Sequence, residues 1–227
     1  PIPTPTTPPT PTVAPFVAIA EANAALQNGD YERAVKVYRS VLDQPVLAVD
    51  PALRTSAAFG LGAAAKREGK FQEAVAALTD FINNYPNDPR TAQAYFLRGD
   101  SYLGLSLWEN AITDFKAYLL KRPGVIDSYA HERIGDAYLN LGLPTKALES
   151  YDLAVQSSRG LVPLLILRER LAAGYLNAGD LNKAIAQYDA ILEVAQNDGY
   201  RAIIALNAAD ALARAGNSAA AAARYQN

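Results

Sequence analysis

From residue 15 onward, apolar positions recur at helical spacing, and strict apolar/polar alternation never lasts more than a few residues. The chain therefore predicts helices along that stretch and no sheet. One local pattern returns six times. Asn28-Gly29-Asp30-Tyr31-Glu32-Arg33-Ala34 aligns with Glu68-Gly69-Lys70-Phe71-Gln72-Glu73-Ala74 and with Ala178-Gly179-Asp180-Leu181-Asn182-Lys183-Ala184. The closing alanines of the six copies fall at 34, 74, 111, 147, 184 and 221, spaced by 40, 37, 36, 37 and 37 residues. Twelve residues before each alanine stands a small residue: Ala22, Gly62, Gly99, Gly135, Ala172 and Ala209. Four residues after it stands a large one: Tyr38, Leu78, Phe115, Tyr151, Tyr188 and Tyr225.

Each copy reads as two helices around a tight turn, about eleven helices in antiparallel pairs. A glycine in five of the six turns supplies the left-handed backbone that ends the first helix. Two residues on, Tyr31, Phe71, Trp108, Pro144 or Leu181 opens the second helix. Small residues at the two crossing positions let the paired helices approach closely, and the large residue fills the adjacent gap. Most of the 13 tyrosines are thus packing residues by position. Asp50-Pro51 and Asp88-Pro89 each offer an N-cap aspartate followed by a first-turn proline.

This pattern resembles the tetratricopeptide repeat, and the resemblance covers Pro15 to the end. Gly99, Tyr102, Ala111, Phe115 and Pro123 match the family signature in the third copy, with Pro86 as the counterpart in the second. The period departs from the family's usual 34 residues. What the resemblance implies is an all-α, right-handed α-α superhelix of about six helix pairs, the last one truncated. Its concave face would be lined by the first helix of each pair. On that face the family's groove positions carry Phe59, Phe96, Asp100, Tyr129, Glu132, Asp136, Glu169 and Asp210, an acidic and aromatic set suited to a basic protein or peptide. The same acids could instead be ordinary solvated helix residues, or pair with Arg98, Arg133 and Arg168. Some family members grip a partner's terminal carboxylate with Lys and Asn; only Asn23 matches here, so no such clamp is expected.

Composition narrows the function. Twenty-one basic against 23 acidic residues argues against a nucleic-acid binder. The absence of cysteine excludes thiolate metal sites and Cys nucleophiles, and the single histidine, His131, is expected to be a packing residue. No apolar run is long enough to span a membrane. Residues 1–14, rich in proline and threonine, read as a tether or an unstructured end, and 15–227 as the repeat domain. The tether reading implies an extracytoplasmic protein with a signal or lipid anchor upstream of residue 1. With no methionine at its start and a helix running to its last residues, the sequence is expected to be a piece of something longer.

No catalytic site, cofactor site or metal site is expected within these residues. Gly60-Leu61-Gly62 lies inside a helix, and Gly69-Lys70 is followed by Phe71, so neither is a phosphate loop. Gly124-Val125-Ile126-Asp127-Ser128-Tyr129 with Ile134-Gly135-Asp136-Ala137, and Gln196-Asn197-Asp198-Gly199-Tyr200, resemble the helical region preceding the catalytic domain of bacterial soluble lytic transglycosylases. That family cleaves peptidoglycan with a Glu-Ser motif in a separate domain. Glu149-Ser150 sits mid-helix and lacks the family's flanking residues. The resemblances imply a non-catalytic scaffold that binds protein, peptide or peptidoglycan, as part of a transglycosylase. The alternative is a free-standing envelope module similar to outer-membrane assembly lipoproteins.

Overall fold

A computed structural model describes residues 13–225. Twelve α-helices and one short 3-10 turn, Val46–Ala48, follow one another, with no strand among the described residues. In the order of the chain they are α1 (Pro15–Gln27), α2 (Tyr31–Leu42), α3 (Pro51–Glu68), α4 (Phe71–Asn84), α5 (Thr91–Gly104) and α6 (Trp108–Lys121). Then come α7 (Asp127–Asn140), α8 (Pro144–Gln156), α9 (Leu161–Ala178), α10 (Leu181–Val194), α11 (Asp198–Arg214) and α12 (Ser218–Tyr225). The count exceeds the expected eleven because the last copy forms both its helices. Residues 1–12 of the expected tether lie outside the described residues.

The fold divides between Leu105 and Ser106 into two units. In the first, α2 packs on α1 and α3, α4 packs on α3 and α5, and α3 touches both α1 and α5. In the second, each helix from α6 to α12 packs on the next.

Every turn between the helices of a copy uses a left-handed residue, and five are glycine: Gly29, Gly69, Gly142, Gly179 and Gly216, with φ between 70° and 83°. After each, the next N–H reaches back to a carbonyl five residues earlier, as in Asp30 to Ala25 and Asp180 to Tyr175, both 2.9 Å. That is the Schellman closure of an otherwise unsatisfied helix end. The remaining turn holds Ser106 at φ 59°, the one left-handed non-glycine among the described residues. Asp50 caps α3 as expected, accepting from the N–H groups of Ala52 and Leu53. Asp88 does not cap α5, which begins later, at Thr91. It binds Arg90 instead, through the backbone N–H at 2.8 Å and both guanidinium edges at 2.8 Å. Two charge-assisted bonds to arginine outcompete a cap, and they hold the Asp88 carboxyl below the usual carboxylate range.

The small positions are buried as the repeat demands. Ala34, Ala74, Ala111, Ala147 and Ala184 have no exposed surface, and Gly62, Gly99 and Gly135 are buried in the first helices. A methyl group on Gly135 would stand 2.5 Å from the Tyr151 ring, and one on Gly62 would stand 2.5 Å from Leu78. The large residue that follows the alanine packs into this crossing as Tyr38, Leu78, Tyr151 and Tyr188, all buried, and Phe115 is buried as well. Tyr225 stays half exposed, since no described helix follows α12 to cover it.

Three of these tyrosines also find the same polar partner, fifteen residues back on the first helix of their own copy. Tyr38 donates to Asn23 at 2.6 Å, Tyr151 to Asp136 at 2.7 Å, and Tyr225 to Asp210. Where the large residue is Leu78, no hydroxyl calls for a partner, and the matching first-helix residue is Ala63. A buried phenol calls for an acceptor, and the facing position supplies one for Tyr38 and Tyr151, though not for Tyr188, which has Ala173 there. Burial pushes the Tyr38 hydroxyl up to about 12, and burial together with Asp136 pushes Tyr151 up as well.

Three outcomes follow from this packing. Gly135→Ala should destabilise the fold by roughly 1–3 kcal/mol through overpacking, although the same change in an open helix stabilises by about 1 kcal/mol. Urea denaturation decides the sign, and a stabilised variant would refute the close crossing. Ser106→Gly should raise stability by about 1 kcal/mol by removing left-handed strain from a non-glycine, which a thermal melt reads directly. The raised tyrosine groups stabilise only while protonated in the fold. Their contribution is complete below pH 10, the ordinary tyrosine value, and drains away as pH rises through about 12. Stability that stays flat across that window would contradict the buried phenols.

Candidate protein-interaction face

The first helices of the last three copies, α7, α9 and α11, carry the side chains of interest in the second unit. Nothing on them assembles a reaction centre. Among the described residues, no group of three His, Asp or Glu side chains is placed to hold a metal. His131 is half-buried on α7, and burial lowers its pKa against the opposing pull of Asp127. Ser150 is buried in α8 and donates back to the Lys146 carbonyl at 2.8 Å. It has no nucleophile's geometry.

The sequence-derived site residues separate into three kinds. Phe59 and Phe96 belong to packing in the first unit. The Phe59 ring meets Phe81 edge-on at 5.4 Å, and the Arg90 guanidinium lies over both rings. Phe96 is buried. The turn through Asp88 causes this for Phe59, because it folds Arg90 down over the ring. Asp100, Glu132 and Asp136 are neutralised in place: Lys66 meets Asp100 at 2.8 Å, and Arg170 meets Glu132 at 2.9 Å and Asp136 at 2.8 Å. Arg133 lies 3.8 Å from Asp136. Arg98 and Arg168 turn elsewhere, to Thr79 and Gln187. Asn23 is held by the Tyr38 hydroxyl.

Glu169, Asp210 and Tyr129 form the third kind. Glu169 accepts from the Tyr200 hydroxyl at 2.6 Å, and Asp210 accepts from Tyr225. Both partners are neutral phenols. Burial and the Glu169 carboxylate together raise the Tyr200 pKa, so its proton stays on the phenol oxygen. Tyr129 is 38% exposed, with Arg133 stacked 4.6 Å from its ring centre.

Beside these lie apolar side chains that the sequence reading passed over. Tyr129, Ile166 and Ile203 occupy the same place in three successive copies, 37 residues apart, and Ile166 and Ile203 are 53% and 59% exposed. Val162 and Leu206 extend the exposed strip on α9 and α11. A mainly apolar cleft of about 380 Å³ opens between α7 and α9, lined by Ile126, Tyr129, Val162, Pro163 and Ile166, with Glu132 and Arg159 also at its wall. The signal was the 37-residue spacing itself, which aligns isoleucine with isoleucine at a position a core-only reading would leave polar.

Comparison with known proteins agrees with this architecture. The tetratricopeptide repeat family matches over residues 19–89, 59–126 and 96–161, which together run from 19 to 161. No curated protein matches the chain. Among solved structures, a MamA protein superposes with a TM-score of 0.65 at 19% identity, over 79% of this chain and 91% of that one. MamA from Desulfovibrio magneticus RS-1 gives 0.65 at 18% identity, over 80% and 95%. A tetratricopeptide repeat protein from Parabacteroides merdae ATCC 43184 gives 0.63 at 19% identity, over 94% and 78%. At such identities the structural likeness speaks for the fold alone. With its matched repeats, buried small-residue crossings and glycine-closed turns, the chain belongs to the tetratricopeptide repeat family.

Proposed function

We propose that this chain is a non-catalytic scaffold that docks a protein or peptide partner on the face made by α7, α9 and α11. The observation that carries the reading is the exposed ladder of Tyr129, Ile166 and Ile203 on first helices of a repeat family that serves in protein association. Large aliphatic side chains in register are costly to leave in water, and a contiguous apolar strip marks an interaction surface. The finer part of the proposal places the scaffold outside the cytoplasm, in the helical region of a peptidoglycan lytic transglycosylase. The Pro/Thr composition of residues 1–14 and the sequence patterns around 124–137 and 196–200 support it. No helix among the described residues is long and apolar enough to cross a membrane.

The docking face is tested with peptides selected from a random library against the purified protein. Ile166→Ser/Ile203→Ser should weaken the selected peptides by about tenfold or more, as expected for central aliphatic contacts. Affinity unchanged in that variant would overturn the face. Co-sedimentation with purified peptidoglycan sacculi tests the transglycosylase part separately; a protein that stays in the supernatant removes peptidoglycan as the ligand.

A further inference from the structure

We infer that the α9–α11 part of this face takes a partner segment in which aliphatic or aromatic side chains are flanked by lysine or arginine. The inference rests on the docking face proposed above and names the chemistry that face would select. The apolar half of the argument is the strip Ile166, Ile203 and Leu206, each more than half exposed. Its counterpart in a partner must be apolar, since a polar group set there would lose water and gain no hydrogen bond.

The charged half comes from how the carboxylates of the second unit are partnered. Glu132 and Asp136 on α7 share Arg170, and Arg133 lies 3.8 Å from Asp136, so two cations balance the two acids on the α7 side of the face. Glu169 on α9 and Asp210 on α11 have no ion pair among the described residues; each accepts from a phenol that stays protonated. Of the four cations on the same two helices, Arg170 is taken by Glu132 and Asp136, Arg168 turns to Gln187, Arg201 to the Leu192 and Ala195 carbonyls, and Arg214 to the Leu176 carbonyl at 3.5 Å. Two anions that no built-in cation neutralises therefore border the aliphatic strip. The tyrosine hydroxyls fix those carboxylates in position, so a partner's cation meets oriented oxygens and does not pay to order them. A segment with acidic flanks would meet like charge.

The test uses two fluorescein-labelled synthetic helical peptides of equal length and leucine content, one carrying lysine on its polar face and the other glutamate. Fluorescence anisotropy reads binding at low and high salt, and circular dichroism melts confirm that each variant folds. The lysine peptide should bind about tenfold tighter than the glutamate peptide at low salt, and the difference should shrink as salt rises. Glu169→Gln/Asp210→Asn, which keeps both phenol contacts, should erase most of that preference, whereas Glu132→Gln should change it by less than about twofold. Ile166→Ser/Ile203→Ser should weaken the lysine peptide by about tenfold.

Equal binding of both peptides, lost in the isoleucine variant, would overturn the basic-partner inference and leave the docking face standing. A lysine preference that survives Glu169→Gln/Asp210→Asn would overturn it as well. Peptide binding indifferent to the isoleucine variant would sink both readings. Sedimentation of the protein alone supplies a further check. A dimer that dissolves in Ile166→Ser/Ile203→Ser would show that a second copy covers the strip, and that too contradicts the inference.

Discussion

Close approach of two helices at a pair of small residues is the constraint from which the rest of this protein follows. Alanine or glycine at both positions of a crossing leaves no room for a larger side chain, as the 2.5 Å approach to a methyl on Gly135 makes plain. The space that remains beside the crossing admits one large side chain, and Tyr38, Leu78, Tyr151 and Tyr188 take it. Burial of those groups contributes to the driving force at about 25 cal/mol per Å² of apolar surface. A tyrosine in that slot brings a hydroxyl, and for Tyr38 and Tyr151 an acceptor on the facing helix bonds it. The polar face of the first helices is thus partly a consequence of the core.

A second layer of interactions joins three pairs of neighbouring copies. Arg39 to Glu73, Lys66 to Asp100 and Asp136 to Arg170 all span 34 residues, a few short of the repeat period. Each link therefore runs from one helix to its counterpart in the following copy, one or two turns nearer the N-terminus. Pairs of this exposure are individually worth little. Their interest lies in which carboxylates they occupy. The acids that line the first helices are spent on bracing neighbours, except where a phenol stands in for the cation.

Most of the fold was legible because repetition multiplies a weak signal. One glycine turn followed by a small residue and then a large one is unremarkable, whereas six aligned copies in register mark out the helices and their buried faces before any coordinates. What the sequence concealed depends on the local context of single residues. Asp88 has the spacing of a helix cap, yet a nearby arginine claims it. Phe59 stands at a groove position, yet that same arginine closes over it. The acids at 100, 132 and 136 were readable as a charged groove, but their neutralisation depends on Lys66 and Arg170, whose reach across copies no local pattern encodes. The exposed isoleucines are hidden for the opposite reason: helical spacing alone does not separate an apolar residue in the core from one that faces solvent, as Ile166 and Ile203 do.

The repeat is a scaffold whose polar inner residues serve packing first and recognition second. On α7 they are spent on neighbouring helices; on α9 and α11 Glu169 and Asp210 keep a charge that the proposed docking face would use to discriminate among partners. The most direct measurement of that claim is a double-mutant cycle between Asp136 and Tyr151, using Asp136→Asn, Tyr151→Phe and their combination in urea denaturation. A structural role predicts a coupling energy of about 1 kcal/mol or more, in keeping with a half-buried bond to a charged acceptor. Effects that add within about 0.3 kcal/mol would show the two residues to be independent, and would contradict an inner face built from the packing outward.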